Sequence, residues 1–116
     1  MKIFNAILIV LSFILIGCED DKPSSYLVRY EIECTSGVSN RILYTNATGN
    51  TDRLADAPLP WSKELTMDIT ENKPYLDFYT EEAGTATISI FVDDDLKETV
   101  TESSNGFIIL VLHYDP

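Results

Sequence analysis

Apolar and polar residues alternate along most of the chain after residue 25, and no stretch there shows the periodicity of a helix. The first alternating segment, residues 26–34, has one face made of Tyr26, Val28, Tyr30, Ile32 and Cys34. Turn-forming residues separate it from further segments of this kind at 38–45, 51–54, 61–69, 75–80, 85–92, 96–101 and 107–114. The pattern predicts an all-β domain over residues 26–116, with about seven or eight antiparallel strands in a sandwich or small barrel.

Two segments near the C-terminus refine this prediction. Residues 93–95 are three consecutive aspartates between two alternating segments, a composition typical of a tight hairpin turn. Residues 107–114 are apolar on both faces of the predicted strand, with Phe107, Ile109 and Val111 on one and Ile108, Leu110 and Leu112 on the other. A strand that is apolar on both sides normally lies in the middle of its sheet or under another layer. We therefore expect this last strand to be central or covered.

The first 17 residues have the composition of a signal peptide and are set aside from the fold. Met1 and Lys2 are followed by an almost unbroken apolar run over residues 3–16. As a helix this run spans about 21 Å, which is less than the ~30 Å thickness of a bilayer's hydrocarbon core. The run therefore predicts a cleaved signal peptide over residues 1–17 rather than a permanent transmembrane helix.

The end of this run resembles the lipobox of bacterial lipoprotein precursors. Leu15, Ile16, Gly17 and Cys18 give a branched apolar residue, a tolerant position, a small residue and the cysteine. In such precursors the cysteine thiol receives a diacylglyceryl group, a peptidase cleaves before the cysteine, and the new amine is acylated. We predict cleavage between Gly17 and Cys18 and a lipid anchor on Cys18, since more than one acyl chain gives stable attachment to a membrane surface. The alternative is an ordinary secretory signal with an unrelated cysteine.

An acidic segment follows the predicted lipidation site. Glu19, Asp20 and Asp21 precede a short run of lysine, proline and serines, which favours a solvated tether over residues 18–25. Acidic residues directly after the lipidated cysteine also resemble a signal for display on the outer surface of Gram-negative bacteria. We expect the protein in the cell envelope, anchored to the outer membrane, on either the periplasmic or the external face.

The charge of the predicted mature part limits its partners. The part that follows residue 17 has seven basic and 19 acidic residues, a formal charge of −12. Such a domain repels phosphate backbones and anionic headgroups, so nucleic acid binding is excluded.

Residues suited to catalysis or metal binding are few. His113 is the only histidine and lies on the last predicted strand, so no Ser-His-Asp arrangement is indicated. Histidines and cysteines do not cluster, and the aspartates at 93–95 lack the spacing of a calcium loop. With Cys18 lipidated, Cys34 has no disulfide partner, and its place among apolar residues favours a buried, inert thiol over a reactive one. We therefore expect no enzyme activity, no metal site, and no cofactor beyond the covalent lipid.

Four segments together resemble one known family. They lie at 30–32 (Tyr-Glu-Ile), 43–50 (Leu-Tyr-Thr-Asn-Ala-Thr-Gly-Asn), 59–64 (Leu-Pro-Trp-Ser-Lys-Glu) and 90–94 (Ile-Phe-Val-Asp-Asp). The pattern is similar to that of the MmpS family, small accessory proteins of large RND-type exporters, and it covers residues 26–106. The resemblance implies an immunoglobulin-like β-sandwich and an RND-type transporter as partner. Two features depart from the family: a lipobox stands in place of an uncleaved N-terminal helix, and residues 85–114 contain no cysteine.

Two functional hypotheses follow from these patterns. The first is an accessory domain that docks on an RND-type transporter or another envelope protein. The second is a surface-displayed module that binds a glycan, a nutrient or a host protein. Under both hypotheses we expect contacts at strand edges and loops, and first at the corner formed by Pro58, Leu59, Pro60 and Trp61. Trp61 shares a face with other apolar residues of its strand, so a place in the core is its alternative.

Overall fold

The structure, a computed structural model, describes residues 25–116. Within that range it contains eight β-strands and no helix. The strands are β1 (Ser25–Cys34), β2 (Arg41–Thr45), β3 (Thr51–Ala55), β4 (Trp61–Asp68), β5 (Tyr75–Thr80), β6 (Gly84–Val92), β7 (Asp95–Ser104) and β8 (Ile108–His113). The predicted signal peptide, and the predicted tether up to residue 24, lie outside the described residues.

The strands form two antiparallel four-stranded sheets that pack face to face. The first sheet has the order β4-β1-β6-β7, and the second has the order β3-β2-β5-β8. The chain passes from one sheet to the other after β1, β3, β4, β5 and β7. The predicted all-β sandwich is therefore confirmed.

The core lies between the sheets and is built from every second residue of the inner strands. Strands β1 and β6 supply its first layer: Val28, Tyr30, Ile32, Ala86, Ile88, Ile90 and Val92. Strands β2, β5 and β8 supply most of the second: Ile42, Tyr44, Leu76, Phe78, Ile108, Leu110 and Leu112. This division follows from the two-residue repeat, because successive side chains of a strand point to opposite faces.

Tyr30 links the two layers of the core. Its side chain is fully buried, and its hydroxyl donates to the Thr45 carbonyl oxygen at 2.9 Å. Burial raises the pKa of Tyr30 above its usual value, because the phenolate would lose its hydration. The neutral phenol therefore provides both apolar surface and a satisfied hydrogen bond.

The hairpin between β6 and β7 turns on two of the three consecutive aspartates, as predicted. Asp93 and Asp94 have φ values of 50° and 68°, the left-handed conformation that a two-residue hairpin turn of type I′ requires at both positions. The turn is tied to β1, since the Leu27 amide donates to Asp93 Oδ1 at 3.0 Å and Arg29 Nη1 donates to Asp94 Oδ1 at 2.7 Å. These two carboxylates thus hold the hairpin in place.

The expectation for the last strand is wrong. β8 is an edge strand that pairs only with β5, and its residues alternate between buried and exposed. Phe107 is 60% exposed, and Ile109 and Val111 are each 48% exposed. One apolar row of this strand fills the core, while the other covers an outer surface. The inference failed because a continuous apolar run does not say whether a second layer covers its outer row.

Candidate interaction surface

The outer face of the first sheet is mostly polar and carries paired hydroxyl groups, while Phe91 and Leu96 form an apolar pair next to the Asp93-Asp94 turn. Three cross-strand pairs join β6 to β7, with oxygen–oxygen distances of 2.7 Å (Thr85 and Ser103), 2.7 Å (Thr87 and Thr101) and 3.0 Å (Ser89 and Thr99). Strands β1 and β4 add Glu31, Glu33 and Glu64 to the partly or fully exposed positions of this sheet. Such a surface is the usual solvated side of an antiparallel sheet.

The outer face of the second sheet carries a group of apolar side chains around a charged pair, with the exposed Arg53 beside Leu43. The strand register aligns Arg41, Tyr79 and Ile109 in one row, and Leu43, Asp77 and Val111 in the next. Phe107 continues the surface beside Tyr79, with ring centroids 6.4 Å apart. We call this surface the apolar face and define it by Leu43, Tyr79, Phe107, Ile109 and Val111. Exposed apolar residues are ordinary when scattered, but a contiguous group of them marks an interaction site.

An ion pair lies at the centre of the apolar face. Arg41 Nη2 donates to Asp77 Oδ1 at 2.8 Å, and the Tyr75 hydroxyl donates to Asp77 Oδ2 at 3.2 Å. The guanidinium of Arg41 also lies over the Tyr79 ring, 5.6 Å from its centroid. Neighbouring side chains thereby hold Arg41 in one place, so a partner that contacts it causes little further loss of side-chain freedom.

Tyr79 is half-buried on the apolar face. Partial desolvation raises the pKa of Tyr79, and the hydrogen bond of its hydroxyl to Glu81 Oε1 at 3.1 Å adds to that effect. The tyrosine therefore presents a neutral ring to any partner. Tyrosine, phenylalanine and arginine are enriched in protein interfaces, whereas lysine and glutamate are depleted there. The composition of the apolar face matches that preference.

The start of β1, which follows the predicted tether, and Phe107 lie at opposite ends of the sandwich. The described chain starts at Ser25, at the end where the Asp93-Asp94 turn contacts β1. Loops at the opposite end contact one another: the Leu59 amide donates to the Gly37 carbonyl oxygen at 2.9 Å, and the Glu81 amide donates to Asn40 Oδ1 at 2.7 Å. Phe107 belongs to this opposite end. The most exposed part of the apolar face therefore lies away from the start of β1.

The predicted contact corner combines exposed prolines with side chains that pack on the core. Pro58 forms an isolated bridge with Val38, and both Pro58 and Pro60 are exposed. Leu59 and Trp61 are half-buried and pack against the core. The Trp61 ring lies 5.4 Å from that of Tyr44, between their centroids. The structure thus gives Trp61 a packing role, and contact with a partner remains a prediction for this corner.

The other sequence candidates lie apart from one another. His113 is exposed on β8, and Cys34 is half-buried at the end of β1, with its sulfur 3.2 Å from Ser36 Oγ. Among residues 25–116 no group of three or more histidine, cysteine, aspartate or glutamate side chains has the geometry to hold a metal ion. Gly17 and Cys18, the predicted cleavage and lipidation sites, lie outside the described residues. The same described range contains no helix long and apolar enough to cross a membrane.

Sequence reasoning did not identify the apolar face. Residues 107–112 are apolar at every position, which indicates an exposed apolar row on the last strand. Our prediction for this run was a central or covered strand. The other half of the signal required the strand register, which brings Leu43 and Tyr79 beside β8. A comparison of the chain with protein-family models and with curated proteins finds no match.

Proposed function

We propose that the chain is a membrane-anchored lipoprotein whose β-sandwich is a non-catalytic interaction domain. The observation that carries this proposal is the apolar face, which stands out on an acidic domain whose other sheet carries mainly hydroxyl and charged groups, with the apolar Phe91 and Leu96 beside the Asp93-Asp94 turn. The lipobox at Leu15–Cys18 supports the anchor. Docking through such a face requires no reacting group, only a partner of complementary shape.

The chemistry of the apolar face favours a protein partner over a glycan. Sugars carry hydroxyl groups around their rings and need several hydrogen-bonding side chains in addition to an aromatic platform. Leu43, Ile109 and Val111 offer no hydrogen bonds. Aliphatic side chains of this kind are instead matched by the apolar centre of a protein interface.

The resemblance to the MmpS family supports an RND-type transporter as the partner in the envelope. The alternative is a displayed module for a host or nutrient-carrying protein, and Glu19, Asp20 and Asp21 after the predicted anchor favour it. Both readings share the lipid anchor and the apolar face, and they differ in the identity of the protein that is bound.

A site-specific crosslinking experiment in intact cells tests the proposal. A photoreactive phenylalanine analogue replaces Ile109 in the full-length chain, expressed at its natural level, and crosslinked proteins are identified by mass spectrometry. The matched control carries the analogue at Thr66, which is exposed on the outer face of the first sheet. We expect one envelope protein to be captured from position 109 and not from position 66.

The identity of the captured protein decides between the two readings. An RND-type transporter supports the accessory function, and an outer-membrane or extracellular protein supports the displayed module. Capture of the same proteins from both positions, or none from position 109, would contradict the interaction face itself.

A further inference from the structure

The two sheets have four edge strands, and three of them carry features that block the addition of another strand. β4 starts directly after Pro60 and contains a lysine and a glutamate, and β3 has only five residues, two of them charged. β7 contains three charged residues after its first and pairs with β6 through an irregularity between Ile90 and Phe91. Short, charged or irregular edges of this kind prevent uncontrolled strand pairing.

β8 has none of these protective features. Its sequence is Ile-Ile-Leu-Val-Leu-His, without a proline, a glycine or a formally charged side chain, and its pairing with β5 is regular. A groove of about 330 Å³ runs beside it and is lined by Glu98, Val111, Leu112, His113 and Asp115. The C-terminal half of β8, residues 111–113, therefore has open space next to it.

One residue of β7, Glu98, lines this groove, and Glu102 follows it on the same face of that strand. Glu98 and Glu102 on β7 are in register with the buried Ile90 and Ala86 of β6, so they share the inward parity of the first sheet. Val100 lies between them and is half-buried. Neither glutamate forms an ion pair within the described part of the chain. Four residues of a strand span about 13 Å, so the two carboxylates stand roughly that far apart.

We propose that the free edge of β8 accepts an extended segment of the partner protein as an added antiparallel or parallel strand. The proposal rests on the proposed function, and it specifies how the partner binds. The inner side chains of the added strand would face Glu98, Val100 and Glu102. The two glutamates favour basic residues in that strand, and Val100 favours an apolar residue between them. The outer side chains of the added strand extend the rows of Ile109 and Val111, which selects apolar residues at the intervening positions.

The main chain supplies the affinity of such a contact, and the side chains supply its selectivity. An added strand satisfies backbone groups at the edge of β8 that β5 does not reach. The unpaired carboxylates of Glu98 and Glu102 on β7 disfavour an acidic strand and attract a basic one. A second copy of this chain is a poor occupant, because its own β8 has no lysine or arginine to meet Glu98 and Glu102.

The probe for this proposal is a capped heptapeptide, Thr-Lys-Val-Val-Val-Lys-Thr, which presents the pattern in either strand direction. It is titrated against the full-length chain in a non-ionic detergent, by fluorescence anisotropy and by hydrogen–deuterium exchange. Two further peptides serve as comparisons: one with glutamate in place of both lysines, and one with a fully N-methylated backbone. We expect slower exchange over residues 108–113 with the lysine peptide, about tenfold weaker binding of the glutamate peptide, and no binding of the methylated one.

A double variant tests the role of the two β7 carboxylates. E98Q/E102Q is expected to abolish most of the preference for lysine over glutamate peptides. The matched control E64Q/E71Q changes the net charge by the same amount at exposed positions outside the groove, and it is expected to retain that preference. Equal effects of the two variants would show general charge attraction and overturn the assignment.

Other outcomes also overturn the proposal. They are the absence of peptide binding, equal binding of the methylated peptide, and a dimer whose residues 108–113 are protected without any peptide. If crosslinking from position 109 still captures one protein in cells, strand addition fails while the interaction domain stands. If that crosslink is also absent, both proposals fail.

Discussion

Arg41 and Asp77 form an ion pair of 2.8 Å on the outer face of the second sheet, where the Asp77 side chain is only 10% exposed. A carboxylate on an outer face is normally solvated, but here Arg41 and Tyr75 both bond to it. The pair holds the guanidinium against Tyr79 and so fixes the polar centre of the apolar face. Stability and the shape of the interaction surface thus depend on the same two residues.

Removal of Arg41 should destabilise the domain more than its partial exposure suggests. R41A leaves Asp77 charged and largely buried without its cation, so we expect a loss of about 1–3 kcal/mol in the free energy of unfolding. The double variant R41M/D77L replaces both charges with apolar groups and should lie within about 1 kcal/mol of the unmodified chain. Urea unfolding measures the free energy of unfolding of both variants. The control is R53A, which removes an exposed arginine. A double variant as unstable as R41A would contradict this account.

Tyr30 should make the domain sensitive to alkaline pH. Its folded-state pKa is raised by burial above the value near 10 of an unfolded tyrosine, so the unfolded chain releases this proton first as the pH rises. Its contribution to stability is complete below that unfolded pKa and declines above it, by up to about 1.4 kcal/mol per pH unit. Y30F should cost about 1 kcal/mol at neutral pH, since Thr45 loses its hydrogen-bond donor. The difference in unfolding free energy between Y30F and the unmodified chain, measured with urea, should be smaller at alkaline pH than at neutral pH. An equal difference at both pH values would contradict this role of Tyr30.

The fold was largely predictable from the sequence because its signals are local. Alternation identified all eight strands, and the aspartates at 93–95 identified the hairpin turn. The boundaries were less accurate: β2 begins at Arg41 rather than at residue 38, because Val38 pairs only with Pro58 in an isolated bridge. β7 extends to Ser104, since its pairing with β6 continues beyond the predicted end as far as Gly84 and Ser104.

The candidate site was not predictable in the same way, because it depends on which strands become neighbours. Tyr79 and Ile109 are 30 positions apart in the chain and adjacent in the sheet. The same sequence run in β8 is compatible with a central strand and with an edge strand, and only the sheet order distinguishes them. The corner at Pro58–Trp61 was identified from local composition, which does not reveal that the Trp61 ring packs on Tyr44.

The Asp93-Asp94 turn should tolerate asparagine but not alanine at its first position. D93A places a β-carbon without a compensating side-chain acceptor in the left-handed region and removes the hydrogen bond from the Leu27 amide, at a cost of about 1–2 kcal/mol. D93N retains an acceptor oxygen and the tolerance of that region, so its stability should stay within about 0.5 kcal/mol. Thermal unfolding of the two variants compares them directly. Equal losses would show that the charge, rather than the turn geometry, matters.

Variants of Trp61 and Pro58 distinguish a packing role of the predicted corner from a role in partner contact. W61A should cost about 2–3 kcal/mol because the ring contacts Tyr44 and the core, and W61F should restore part of that loss. P58A changes an exposed residue and should leave stability within about 0.5 kcal/mol. If the corner is a contact, P58A lowers the yield of the crosslink from position 109 while unfolding is unchanged. An unaffected yield would remove the corner from the interaction surface.

Cys18 should carry the lipid, and Cys34 should carry none. Cys18 follows the lipobox residues, whereas Cys34 is half-buried at the end of β1 and lies within the folded domain. C18S should therefore abolish incorporation of a palmitate analogue and leave residues 1–17 uncleaved, because acylation of the thiol comes before cleavage in lipoprotein precursors. C34S should leave both properties unchanged and serves as the matched control. Metabolic labelling and mass spectrometry of the N-terminal residues measure the two effects, and labelled C18S would show that the lipid is attached elsewhere or that Leu15–Cys18 is not a lipobox.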